Sequence, residues 1–243
     1  MKVAIIGMGH MGQIHLNTAR EWGAEIVPFT YGADVVVVAS PDYSHSSYVE
    51  SLLDEGRAVF CEKPIACHAD IFERIEKLAE KAPLGCHLPL RQFADEFEIQ
   101  GNTVKLLYDY GRRDKFLSSW RNHEDYDLVM GGGIHMMDLW MLKSGCREID
   151  VSWTSRVKTR PEAICPDLFV GKFYVGLGPH RGTLQVDFTR NGPHRHVISW
   201  DGGEWINEKP TDKSVQLRAF LDNPKTDLLA IASHRACLKF QNV

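Results

Sequence analysis

Much is missing from these 243 residues, and each absence narrows the field. No apolar run exceeds five residues, as at 35–39, far short of the ~20 that cross a bilayer, so a membrane-spanning chain is not expected. There is no basic run and the net charge is −4, which leaves no electrostatic footprint for nucleic acid or a membrane surface. The six cysteines (Cys61, Cys67, Cys86, Cys146, Cys165 and Cys237) form no C-x-x-C pair and no metal-ligand spacing. Free thiols in a reducing cytoplasm, and no metal, are the expectation. Met1-Lys2 leads directly into the strand-like Val3-Ala4-Ile5-Ile6-Gly7, so no signal peptide is expected. Neither Gly nor Pro is in excess and no low-complexity segment is visible. What remains is a globular cytoplasmic chain, long enough for one large domain or two small ones.

The first third alternates strand and helix patterns. Residues 2–6 read as a strand and 10–22 as a helix, with Met11, Ile14, His15, Thr18, Ala19 and Trp22 at helical spacing. Residues 24–29, 34–39, 58–61 and 84–88 are strand-like; 48–55 and 68–81 are helical. Continuous apolar strands such as 35–38 suit a parallel sheet covered on both faces, and the alternation predicts a doubly wound α/β sheet of Rossmann type. Beyond residue 101 the pattern changes to longer strands at 104–110, 150–158, 168–175, 183–188 and 197–201, punctuated by Gly, Pro and Asn. A helix at 134–143 interrupts them and two more, at 215–221 and 228–240, close the chain. This predicts an α+β domain with a largely antiparallel sheet. The expected division is 1–95 and 96–243. A Gly-Pro-His-Arg echo at 178–181 and 192–195 reads as paired turns, with a paired anion site or a His194-x-His196 metal pair as sharper alternatives.

Gly7-x-Gly9-x-x-Gly12 follows a strand and opens a helix, the context in which a glycine turn cradles a pyrophosphate. The accompanying ribose acid is missing. Residues 24–29 run into Thr30-Tyr31-Gly32-Ala33 with no carboxylate at the strand's end; Glu25 is at the wrong end, Asp34 opens the next strand, and no arginine is there for a 2′-phosphate. The spacing is also too short. Four residues reach about 14 Å, whereas returning along an ordinary strand needs roughly 17–20 Å. The segment at 24–29 is therefore very short, or antiparallel, or a connection, and an ordinary adenosine pocket is not expected.

Further along stand Ala39-Ser40-Pro41-Asp42-Tyr43-Ser44-His45, Cys61-Glu62-Lys63-Pro64, Trp120-Arg121 and Gly131-Gly132-Gly133-Ile134-His135-Met136-Met137-Asp138. With the glycine turn before them, these motifs in this order resemble the Gfo/Idh/MocA oxidoreductases, the relatives of glucose-fructose oxidoreductase and inositol dehydrogenase. The resemblance extends over nearly the whole chain. It implies NAD or NADP as cofactor, held by Gly7, Gly9, His10, Met11, Gly12, Ser40, Pro41, His45, Glu62 and Lys63, and an active site between two domains. It also exposes two departures. The family's helix, strand and helix are lost between residues 29 and 34, and the carboxylate that often precedes the histidine by one turn is replaced by Gly131. Asp127 is a speculative substitute.

The residues suit an alcohol oxidation. His135 could exchange a proton near neutral pH, and Lys63 could stabilise charge on the carbonyl oxygen. Arg91, Trp120, Arg121, Asp138 and Tyr108 could line a sugar-like or nucleotide-sugar substrate. Each has a plainer reading: Lys63-Pro64 an ordinary turn, His135 a core histidine, Asp138 a capping acid, Trp120-Arg121 seam packing. Two functions are therefore carried forward. One is an NAD(P)-dependent oxidoreductase acting on a secondary alcohol or ketone; the other is a relative without dinucleotide that does acid–base chemistry or serves as a non-catalytic partner. A homodimer or higher homo-oligomer through the C-terminal sheet is expected under both, which a sizing column would read directly.

Overall fold

The computed structural model describes residues 1–119, 121–176 and 181–243. Trp120 and positions 178–180 of the first Gly-Pro-His-Arg repeat lie outside them. Two compact units emerge: Met1–Pro89 with Thr211–His234, and Leu90–Pro210 with Arg235–Val243. The chain thus leaves the first unit at Pro89, a few residues before the expected division, and returns to it for one excursion near the end.

The first unit holds β1 (Lys2–Ile6), α1 (His10–Trp22), β2 (Glu25–Ile26), β3 (Val35–Val38), α2 (His45–Asp54), β4 (Ala58–Glu62), α3 (Ala69–Leu78), β5 (Leu84–His87) and α6 (Val215–Asp222). Its sheet runs β2-β1-β3-β4-β5, parallel throughout. The four valines of β3 are all buried, as a β-branched run inside a doubly covered sheet must be. Val3, Val35, Val37 and Phe60 pack with Ala19 of α1 and with Leu217, Phe220 and Leu221 of α6. Helix α1 ends at Gly23 in the left-handed region (φ 95°), whose N–H donates to Ala19 O and Arg20 O.

The strand expected at 24–29 shrinks to two residues, parallel to Lys2 and Val3. The last bond to β1 is Val27 N to Val3 O; a turn closes from Ala33 N to Thr30 O, and Asp34 N already donates to Lys2 O. Since β2 climbs so little, the chain need only pass from one side of the start of β1 to the other. The distance conflict in the sequence is resolved by the shortness of β2, not by antiparallel pairing.

The second unit carries β6 (Thr103–Asp109), α4 (Arg113–Leu117), a π-helical turn (Val129–Gly133), α5 (Ile134–Ser144), β7 (Asp150–Val157), β8 (Leu168–Tyr174), β9 (Arg181–Asp187), β10 (Arg195–Trp200) and β11 (Gly203–Asn207). The final helix α7 (Leu228–Lys239) begins in the first unit and ends in this one. The sheet order is β11-β10-β6-β9-β8-β7. It is mixed: β6 and β9 pair in parallel, and the other neighbours are antiparallel. The connection from β6 to β9 runs through α5 and two further strands, long enough for a parallel return. β11, unforeseen in the sequence, forms a hairpin with β10 across Gly202, which adopts φ 93°. On β9, Gly182, Leu184 and Val186 alternate inward. Val186 and Leu184 meet the π turn and Phe240 packs on Phe169 and Phe173.

Candidate active site

Two loops meet at the carboxyl ends of β1 and β3, where the strand order reverses and α/β sheets bind ligands. Gly7 has φ 90°, and a side chain on it would strike the backbone of Ala39 and Ser40. A Cβ on Gly12 would overlap the Gly7 carbonyl oxygen. Gly9 is different, because nothing lies within 4 Å of the Cβ it lacks. Helix α1 has no side-chain cap and no acid in its first turn. Its ladder begins with Gln13 N donating to Gly9 O, so by helix geometry the N–H groups of His10, Met11 and Gly12 stand outside it. Open space over Gly9, free donors and the helix dipole fit the pyrophosphate of a dinucleotide. The fit stops at the adenosine end. β2 finishes level with Val3, well below the glycine turn, and carries no carboxylate there.

The other residues expected at the cofactor brace the neighbouring loops. His45 is buried, and its ring nitrogens lie 2.7 Å from Ser40 O and 2.7 Å from Pro64 O. It therefore ties the loop after β3 to the Lys63-Pro64 turn after β4. Ser40 Oγ and Ser44 Oγ are 2.7 Å apart, and Ser44 Oγ donates to Pro41 O. Beside Lys63, the Glu62 carboxylate is 8% exposed, and its Oε1 lies 2.7 Å from His15 Nε2 and 3.0 Å from His87 Nδ1. Burial pushes the Glu62 carboxyl up, but the charge of His87 and hydrogen bonds from His15 and His87 outweigh it and hold the group well below the usual carboxylate range. The three side chains bring ligand-type atoms within 4.8 Å of one another. Separations of 2.7 and 3.0 Å are those of hydrogen bonds; donors around a tetrahedral zinc would stand about 3.3 Å apart. His10 Nε2 lies 3.4 Å from Lys213 Nζ.

In the second unit, His135 opens α5 and stacks on Tyr108 of β6, ring centres 5.9 Å apart and planes at 19°. His194 and His196 also contact Tyr108, at 5.1 and 5.3 Å. Burial raises the Tyr108 phenol, and Tyr110 adds to this, while the charges of Arg121 and Arg112 oppose it. Arg121 is half-buried, and its carbonyl oxygen accepts from Cys165 Sγ at 3.6 Å. Arg190 and Arg195 converge on the buried Asp109. Arg91 and Asp138, expected at a substrate, grip each other: Nε to Oδ2 and Nη2 to Oδ1 are both 2.7 Å, with Asp138 1% exposed. Losing the guanidinium from such a pair costs about 3–5 kcal/mol, so this is first a structural pin on α5. Trp120 lies outside the described residues.

The glycine run before His135 is a packing requirement. A Cβ on Gly132 would come within 2.8 Å of the Tyr108 ring, and one on Gly133 within 3.0 Å of Val186. At Gly131 it would overlap the Tyr126 hydroxyl, with Cζ 2.5 Å away. No carboxylate fits there. Asp127 does not replace it: Oδ1 caps the N–H groups of Val129 and Met130, and Oδ2 accepts from Gln241 Nε2. Sequence reasoning missed His15, His87 and Tyr126. Only His15 left a trace, as a polar residue on the inward face of a helix.

Residues 24–88 match the model of an oxidoreductase family described as having an NAD-binding Rossmann fold. Inositol 2-dehydrogenase 2 of Saccharopolyspora erythraea is 26% identical over 86% of this chain and 71% of its own length. The inositol 2-dehydrogenase of Rhodococcus erythropolis is 29% identical over 46% of this chain; that match spans only 40% of the relative. Among solved structures, the WlbA (WbpB) dehydrogenase from Thermus thermophilus, in complex with NAD and UDP-GlcNAcA, superposes with a TM-score of 0.76 at 19% identity, covering 100% of this chain and 95% of that one. GenD2 from gentamicin A biosynthesis, in complex with NAD, gives 0.78 at 15% identity, covering 100% and 93%. Fold, glycine turn and matches together define an NAD(P)-dependent oxidoreductase of Rossmann type. Within that class, the chain is similar to the Gfo/Idh/MocA family. Among the described residues, no helix is long and apolar enough to cross a membrane.

Two outcomes are expected from this geometry. Gly9→Ala enters open space and should leave the melting temperature nearly unchanged while weakening dinucleotide binding at least tenfold by calorimetry. Gly12→Ala, which collides with backbone, should instead fail to fold or melt far lower. The second concerns His196, whose pKa burial and the nearby His194 charge push down to about 3. Its folded pKa lies below the unfolded value of about 6.5, so the native state resists protonation. Stability should be full above pH ~6.5 and decline by ~1.4 kcal/mol per pH unit as pH falls from there toward 3. Urea melts of wild type and His196→Gln at pH 7.5 and 5 should show a smaller decline in the variant.

Proposed function

We propose that the protein transfers hydride between a nicotinamide dinucleotide and a secondary alcohol or ketone of a sugar-like or nucleotide-sugar substrate. The observation that carries this reading is the open, donor-lined turn over Gly9, set beside Ser40 at the reversal point of the sheet. The N–H groups of His10, Met11 and Gly12 would hold the pyrophosphate, with Ser40 and Pro41 flanking it. Bound dinucleotide supplies the hydride acceptor or donor. Lys63 is assigned to the substrate oxygen, where its ammonium stabilises developing negative charge. The braces from His45 to Pro64 O and from His15 and His87 to Glu62 limit how far the Lys63 backbone can shift. His135 is assigned the hydroxyl proton, taking it in oxidation and returning it in reduction.

The substrate class rests on the surroundings of Tyr108. Arg112 and Arg121 act there electrostatically. This excess of guanidinium suits a substrate that carries a carboxylate or phosphate. The relatives named above, dehydrogenases of inositol and a structure holding UDP-GlcNAcA, support a polyol or sugar.

Calorimetric titration of cofactor-free protein with NAD⁺, NADH, NADP⁺ and NADPH tests the reading, and micromolar binding of one of them is expected. Lys63→Met and His135→Asn should then lower turnover of the responsive sugar by roughly 10²–10⁴-fold, with cofactor affinity within threefold of wild type. Failure of all four dinucleotides to bind would sink the hydride reading. It would favour the alternative motivated by the two-residue β2, a relative that has given up the dinucleotide.

A further inference from the structure

We propose that Lys213 is a phosphate-binding residue of the glycine turn, its ammonium meeting the pyrophosphate of the dinucleotide beside His10. The inference rests on the assignment of that turn to a dinucleotide, and adds a residue that lies 203 positions away in the chain.

The turn alone neutralises little. The N–H groups at the start of α1 carry the helix dipole, worth about half an elementary charge against the roughly two of a pyrophosphate. Neither lysine nor arginine occurs between Gly7 and Gly12 to make up the difference. The cation comes instead from Thr211–His234, the part of the chain that returns to the first unit. Lys213 Nζ lies 3.4 Å from Nε2 of His10, the first residue of α1. An ammonium can only donate, so the ring accepts on Nε2. Among the described residues, no carboxylate pairs with this ammonium. The neighbouring Asp212 turns its Oδ1 to Ser214, accepting from N at 2.9 Å and from Oγ at 2.7 Å. A bond of 3.4 Å is long. The flexible lysine stem lets the ammonium turn from the ring to an oxyanion beside it, where it acts as a point charge.

The fold holds Lys213 at that place. Helix α6 follows it after the cap residue Ser214 and runs alongside α1 in the same direction. Arg218 Nη2 donates to Glu21 Oε2 at 2.7 Å, and Trp22 Nε1 donates to Asp222 Oδ1 at 2.8 Å, while Lys213 meets His10. Contacts that ascend together in both helices put the two N-termini at one end. Leu217 and Leu221 are buried with Val3 and Ala19, and Phe220 packs on Phe60 with ring centres 5.6 Å apart. Gln216 anchors the start of α6 to the end of β5. Its Oε1 accepts from Leu88 N at 2.5 Å, and its Nε2 donates to Leu88 O at 2.7 Å. Lys213 is thus delivered to the carboxyl ends of the strands, where such a sheet takes its ligand. β2 ends level with Val3, so an ammonium at His10 stands apart from the strand end that reads a 2′-phosphate. It serves NAD and NADP alike.

The test is calorimetric titration of the full, cofactor-free chain with NAD⁺, NADP⁺ and inorganic pyrophosphate, for wild type, Lys213→Gln and Lys213→Arg. Lys213→Gln should weaken each ligand that wild type binds by about tenfold, and by the same factor for both dinucleotides. Its melting temperature should stay close to that of wild type. Lys213→Arg, which keeps the charge, should restore most of the affinity. The gap between wild type and Lys213→Gln should shrink at high salt, as a contact between charges must. Equal affinities in wild type and Lys213→Gln would overturn the proposal, and so would a loss confined to NADP⁺, which would put the ammonium at a 2′-phosphate. Wild type that binds none of the three would overturn it as well. Pyrophosphate binding that depends on Lys213, in a protein that takes up neither dinucleotide, would uphold the phosphate role and remove only the hydride reading.

Discussion

A single buried negative charge organises the first unit. The Glu62 carboxylate ends β4 inside the protein, where an ionised group survives only with close, well-aligned partners. It finds them on two other elements, His15 of α1 and His87 of β5. The first bond fixes α1 against the carboxyl end of β4 and the second ties β5 to it, and α1 is the helix whose first turn faces the proposed pyrophosphate site. The same carboxylate sits immediately before Lys63, so the Lys63 backbone and the helix that follows the glycine turn are tied to one network. His45 extends it to the loop after β3. A Glu62 without its histidines would be an unpaired charge in the core.

The shortened nucleotide region is the second constraint, and it is consistent with the first. The proposed phosphate site is built from β1, α1 and the end of β3, all of which are present. What has gone lies on the far side of β1, where a longer β2 would normally carry a ribose-binding acid at its end. The loss is therefore one-sided. It shortens the sheet on the β2 side and leaves β1, α1 and β3 in place.

Most of the architecture was legible in the sequence because it is written in local periodicity. The all-valine β3, the glycine-terminated α1 and the alternating β9 announce themselves within a few residues. Arithmetic also showed that too few residues were available for a full crossover, but shortness, antiparallel pairing and a simple connection stayed open until the two-residue parallel β2 was seen. Long-range facts were not legible. That β6 and β9 run in parallel depends on how two distant segments meet, and β11 was too short and polar to stand out. The candidate site divided in the same way. Gly7, Gly9 and Gly12 stand out as a candidate phosphate turn by their own spacing. Arg91 and Asp138 looked like substrate ligands because their mutual grip spans 47 positions. Gly131 looked like a missing acid, because no pattern in the chain says that Tyr126 already fills its place.

The two-residue β2 has a mechanical consequence for the glycine turn. In a full doubly wound sheet, β1 is hydrogen-bonded along its length on both sides. Here, among the described residues, no strand pairs with β1 beyond Val3 on the β2 side, and the ladder to β3 alone runs on to Ile6. The upper half of β1, which carries the turn, behaves as an edge. Its opening free energy is then set by one row of bonds and by the contact of Gly7 with Ser40. Amide protons at the end of β1 belong to a less protected cooperative unit than those of β3 and β4. A bound phosphate, by engaging the N–H groups that follow, would supply the missing second side.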